Sequence, residues 1–165
     1  MNNKWGKLTA VLEKMLIMYQ AIFELSLQKR EVLVQSNVPG LETIMKQEEN
    51  LCFEVTRLDK IRKSIIQELA AIYGITDTKI TLSQLVQMAD QDEIGNFKNV
   101  EQELTSIIFK ISEVNNVNKE LVEQGLLIVN YSLNLLAQSS VGPTYHPNEK
   151  ASFVPPNKAL FDSKA

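Results

Sequence analysis

Residues 40–142 contain no proline: Pro39 stands just before them, and Pro143, Pro147, Pro155 and Pro156 all follow. Proline costs about 3 kcal/mol inside a helix, so a proline-free run of this length permits long helices and its end marks where they stop. The helical body is expected to end near Gln138. Within it the apolar residues recur at helical spacing. Leu8, Leu12, Met15, Tyr19 and Ile22 fall on one stripe of a first helix over roughly 4–34, with Leu16, Phe23 and Leu27 beside them. The segment Ser36-Asn37-Val38-Pro39-Gly40 breaks the pattern and reads as a tight turn.

From Leu41 to Ile72, the residues Leu41, Ile44, Leu51, Val55, Leu58, Ile65, Leu69 and Ile72 alternate threes and fours, a near-heptad seam that Glu48 and Arg62 interrupt. Gly74 is placed to take the left-handed position after this helix. Thr81-Leu82-Ser83-Gln84 has capping-box spacing and opens a short helix to about Asp90, and Gly95-Asn96 marks the next boundary. The last helix, about 97–138, carries Phe97, Val100, Leu104, Ile107, Ile111, Val114, Leu121, Ile128 and Leu135 on one stripe. Ile108, Val122, Val129, Leu133 and Leu136 lie beside it. That face is wider than a two-helix seam requires. No strand-like alternation or solenoid repeat is present. The expected fold is all-α: an antiparallel, extended coiled-coil-like bundle of three long helices and one short helix over 1–138.

Residues 139–165 are rich in proline and polar side chains and are expected to be a disordered tail, since they cannot bury enough apolar surface to offset chain entropy. Yet Tyr145, Phe153, Val154, Leu160 and Phe161 are more large apolar residues than a spacer needs, which suits contact with a partner.

Catalytic chemistry has no foothold. The one histidine, His146, lies between Tyr145 and Pro147 in the tail, where no neighbouring group is held at reacting distance, and Cys52 sits beside the second helix's seam, where packing is the expected role. The scattered glycines form no phosphate-cradling loop. The acidic runs Glu48-Glu49, Asp90 to Glu93 and Glu101 to Glu103 read as solvated faces rather than metal sites. No cofactor is expected, and the chain is not read as an enzyme. A net charge of −3 supplies no basic surface for nucleic acid. With no apolar run near 20 residues for membrane insertion and one cysteine, the expected compartment is the cytoplasm. Met15, Met18, Met45 and Met88 are expected in the core, and Trp5 suits either a cover for the bundle end or a binding anchor. Tyr131, inside the last helix, is expected to pack.

Asn115 and Asn118 fall on or beside the apolar stripe of the last helix, where an unpaired amide is costly. The segment around them, Val114-Asn115-Asn116-Val117-Asn118-Lys119-Glu120-Leu121-Val122, resembles the Leu-Asn-x-x-Asn-x-x-Leu-Leu signature of FlgN-family flagellar export chaperones, with valine at two leucine positions. The family signature thus falls on Asn115, Asn118 and Leu121. Pro143-Thr144-Tyr145 resembles the family's linker tyrosine, although His146 stands where a glycine often follows. The terminal Leu160-Phe161-Asp162-Ser163-Lys164 is also similar to some members.

The resemblance implies a cytosolic chaperone of type III export that holds the C-terminal helices of the hook–filament junction proteins FlgK and FlgL and delivers them to the export-gate protein FlhA, with Tyr145 as the docking residue. A client helix would lie on the late face of the last helix, Val122, Leu126, Val129, Leu133 and Leu136, with Phe153, Leu160 and Phe161 of the tail closing over it. The competing expectation is a coiled-coil adaptor unconnected with flagella, since any antiparallel bundle gives such seams.

Overall fold

The computed structural model describes residues 2–75, 82–89 and 91–139. They form four helices: α1 (Asn2–Val34), α2 (Val38–Ile72), α3 (Leu82–Met88) and α4 (Gln91–Ser139). No strand occurs among the described residues, and the chain is all-α. It divides into two compact units, Met1–Ile128 and Val129–Ala165. Thr81 of the capping-box motif and Asp90 lie outside the described residues.

The α1–α2 turn is shorter than Ser36 to Gly40. Helix α1 closes with hydrogen bonds from Asn37 N–H to the Val32 carbonyl (2.9 Å) and from Ser36 N–H to the Leu33 carbonyl (3.1 Å), the paired pattern of a Schellman end. Ser36 takes the left-handed conformation, φ 54°. Asn37 then caps α2, its Oδ1 accepting from Gly40 N–H at 3.0 Å. Pro39 and Gly40 therefore belong to the first turn of α2 rather than to the loop, proline being tolerated where an N–H has no helical partner anyway. A Cβ on Gly40 would come within 2.7 Å of Asn37 Nδ2, so the cap requires glycine there. At the other end of α2, Gly74 is left-handed at φ 71°, as its position in the sequence predicts. Ile75 N–H to the Ala70 carbonyl repeats the Schellman closure.

Cross-helix pairs fix direction within the first unit. Lys4 meets Glu68 and Lys29 meets Glu48, so α1 and α2 run antiparallel. Trp5 stacks edge-on against Phe97, centroids 5.3 Å apart at 72°, and Asn118 Nδ2 donates to the Ser26 carbonyl at 2.9 Å. Trp5 to Ser26 and Phe97 to Asn118 are equal steps along their helices, so α4 follows α1 in the same direction.

The core gathers near the start of α1. Trp5, Leu8, Leu12 and Met15 pack with Leu58, Ile65 and Leu69 of α2, Leu85 of α3, and Ile94, Phe97, Val100 and Leu104 of α4. Trp5, 1% exposed, is a core residue and not a surface anchor. Its indole N–H donates to Tyr73 Oη at 3.2 Å. Gly95-Asn96 is not a boundary. Both residues lie inside α4, because burial of Ile94 and Phe97 outweighs the roughly 1 kcal/mol that glycine costs a helix. Three further expectations give way to exposure. Met45 and Met88 lie on the surface rather than in the core, and Cys52 is exposed instead of packing, since each sits off the buried stripe of its helix. Met15 is buried and Met18 packs at the core's edge.

On α2, Asp59 takes hydrogen bonds from Lys63 and Arg62 (2.8 and 2.7 Å). The Lys63 bond, followed by the Arg62 contacts, holds its carboxyl below the ordinary value despite partial burial. Tyr19 is pushed up, first by burial and then by the charge of Asp59.

Candidate functional site

Burial thins along α4. Phe97, Val100 and Leu104 are buried, Ile107, Ile111, Val114 and Leu121 are half-buried, and Asn118 is the last α4 residue in the buried class. Beyond it the helix keeps its apolar composition, and most of its described side chains are exposed. In the first unit Val122, Leu126, Leu127 and Ile128 are exposed, from 40% at Val122 to 70% at Leu127. In the second unit Val129, Tyr131, Leu133, Leu135 and Leu136 are all exposed. Tyr131 was expected to pack and instead is 66% exposed, since helical period alone places it off the seam. Residues 124–139 include no charged side chain, so this surface is apolar without the salt-bridging that usually keeps an exposed helix soluble.

Two signature residues separate at the start of this surface. Asn115 is exposed, whereas Asn118 is 4% exposed. The Asn118 amide N–H₂ reaches the carbonyl of Ser26, a residue whose own hydroxyl turns back to the Ile22 carbonyl at 2.9 Å. Its Oδ1 has no hydrogen-bond partner among the described residues. Asn115 and Asn118 line a groove of about 330 Å³ whose walls include Ile22 of α1, Glu48 and Cys52 of α2, and Val122 of α4. The Lys29–Glu48 pair, largely screened from solvent, closes one side. The structure therefore places the polar signature directly before the exposed apolar stripe. The five stripe residues expected from the sequence, Val122, Leu126, Val129, Leu133 and Leu136, are all exposed on α4. Leu127, Ile128 and Leu135 are exposed too; Ile128 and Leu135 lie on the stripe expected to form the seam, so the apolar period gave no signal for their exposure.

Within the first unit, exposed Val122, Leu126 and Leu127 follow the polar groove along α4, and exposed apolar side chains of this kind suit contact with another protein. Among the described residues no three His, Cys, Asp or Glu side chains come together as a metal-holding group. Among those residues, no helix is long and apolar enough to cross a membrane. Tyr145, Phe153, Leu160 and Phe161 lie outside the described residues.

The profile of the family described as FlgN protein matches residues 1–152. The chain belongs to the FlgN family. The match takes in all four helices and Tyr145, so the resemblance carried by Asn115, Asn118 and Leu121 extends over the whole fold. The chain is also similar to a curated relative of Bacillus subtilis (strain 168), an uncharacterized protein named YvyG, which is 23% identical over 155 residues, 93% of this chain and 94% of the relative. No solved structure matches the chain.

Proposed function

We propose that this FlgN-family member is a cytosolic flagellar export chaperone for the junction proteins FlgK and FlgL. In this reading the three long helices form an extended antiparallel bundle, and the client's C-terminal amphipathic helix lies on Val122, Leu126, Val129, Leu133 and Leu136. The observation that carries it is the uncharged, exposed apolar end of α4 in a chain of this family. These five side chains are 40–66% exposed, so covering them contributes roughly half of the 1.5–3 kcal/mol of a full burial each, with the client's own apolar face adding to it against the cost of association and ordering. Tail residues Phe153, Leu160 and Phe161 add contacts around the client, and Tyr145 docks the complex to the gate protein FlhA. Family membership supports this reading over an adaptor unconnected with flagella.

The test is co-purification of full-length chain with FlgK and FlgL, each with and without its C-terminal helix. Val129→Asp with Leu133→Asp should weaken capture at least about 100-fold, because each new carboxylate would be desolvated by the client, while circular dichroism stays helical. Unchanged capture sinks the assignment, and so does loss of the fold, which would make these positions core.

A further inference from the structure

Within the first unit, the polar groove and the start of the exposed stripe share one face of α4. Asn115, Asn118, Val122 and Leu126 follow one another at steps of three, four and four residues, the spacing of a single helical face. Val122 both lines the groove and is exposed. A helix laid along Val122 and Leu126 therefore passes over Asn118 and then Asn115 in the two preceding turns.

The groove lacks hydrogen-bond partners and has little charge to spare. Asn118 turns its Nδ2 to the Ser26 carbonyl, which leaves Oδ1 on the other branch of the amide, buried and without a partner among the described residues. Lys29 and Glu48 neutralise each other, and Lys119 lies 3.9 Å from Glu123. Asn115 is exposed, so a helix covering the groove would desolvate its amide as well. An apolar side chain placed there would strand both amides, and a charged one would compete for groups that are already paired.

We propose that the groove receives a carboxamide side chain, glutamine or asparagine, from the client helix, which donates to Asn118 Oδ1 and accepts from Asn115 Nδ2. This rests on the client reading above and adds what sets the client's register. A carboxamide carries both the donor and the acceptor that the two asparagines need, and it is longer than a hydroxyl side chain. Length matters because Oδ1 is closed off from solvent, so entry requires a lining side chain to move. Lys119, whose side chain is 76% exposed, can do so. A buried amide at one seam position fixes the register of facing helices at a cost in stability. Here the unloaded chain bears that cost as an unpaired oxygen, and loading removes it.

The test is calorimetry of the full chain with synthetic C-terminal helices of FlgK and FlgL, in which each glutamine is replaced in turn by methionine and each asparagine by leucine. One replacement should weaken binding to wild type at least about 10-fold, because it leaves a buried acceptor unpaired. The same replacement should cost less than about twofold against Asn118→Leu, which has no acceptor to satisfy. Asn115→Ala, at an exposed position outside the core, should shrink the penalty at least about threefold, and it decides the matter alone if Asn118→Leu does not fold. Helices that bind but show no such replacement, or one whose penalty is equal on wild type and variants, overturn the proposal and leave the client reading standing. Helices that do not bind at all overturn both.

Discussion

Asn118→Leu should make the protein more stable. The wild-type amide is 4% exposed, donates one hydrogen bond to the Ser26 carbonyl at 2.9 Å and leaves Oδ1 without a partner among the described residues. Losing the hydrogen bond costs about 0.5–1.5 kcal/mol, and removing a desolvated, unpaired carbonyl returns about 1–3 kcal/mol. Burying a leucine side chain adds roughly 1.5–3 kcal/mol, from which imperfect fit subtracts about 1–2 kcal/mol. The balance is a gain of about 1–3 kcal/mol. Asn118→Asp, which fills the same volume with a charge, should lose at least about 2 kcal/mol. Urea unfolding of the full chain, followed by helicity and by tryptophan fluorescence of Trp5, reads both changes. A leucine variant less stable than wild type by more than about 1 kcal/mol would refute the reasoning, because Oδ1 would then have to be satisfied. If the asparagine fixes the alignment of α4 on α1, as a buried asparagine does in coiled-coil seams, the more stable variant should also show broadened amide signals in both helices.

Trp5→Ala should cost about 3–5 kcal/mol, the range for a large aromatic in a core, since it removes the contact with Phe97 and the bond to Tyr73; thermal unfolding checks it, and a loss below about 1 kcal/mol would mean that the end of the core is loosely packed. Asp59 has a folded-state value below its ordinary 3.8, so its contribution is present above that pH and is lost as pH falls through the lower folded value. The stability difference between wild type and Asp59→Asn, at most about 1 kcal/mol for so open a pair, should therefore shrink as pH falls below 3.8 and level off once the folded carboxyl is protonated, and a difference that does not shrink with acidification contradicts it. Tyr145→Ala should leave the thermal midpoint and client affinity unchanged while weakening binding of the client-loaded chain to FlhA; calorimetry showing equal gate affinity would remove the docking role.

The long helices were legible in the sequence because proline distribution and apolar period agree over 40–138. Their ends were less so. Pro39-Gly40 reads as a turn by composition but is the first turn of α2, since the cap comes earlier, at Asn37, and only its side chain makes the glycine necessary. Gly95-Asn96 reads as a break for the same reason, and what overrides it is tertiary: Ile94 and Phe97 enter a core built on Trp5 and Leu85. Local signals weigh a glycine equally wherever it falls, whereas the fold weighs it against what its neighbours bury.

The exposed apolar flank of α4 was legible as excess. A seam at alternating threes and fours accounts for Phe97 through Leu121, and the apolar residues left over, Val122, Leu126, Val129, Leu133 and Leu136, are all among those exposed on α4. Periodicity could not say where the cover stops, because Ile128 and Leu135 continue the same stripe as Leu104 and are nevertheless exposed. The change falls just past Asn118, where the seam position that carried leucine at 104 and isoleucine at 111 carries asparagine, then glycine at 125 and serine at 132. Small and polar residues at one heptad position weaken the inward pull of the helix while its flanks stay apolar.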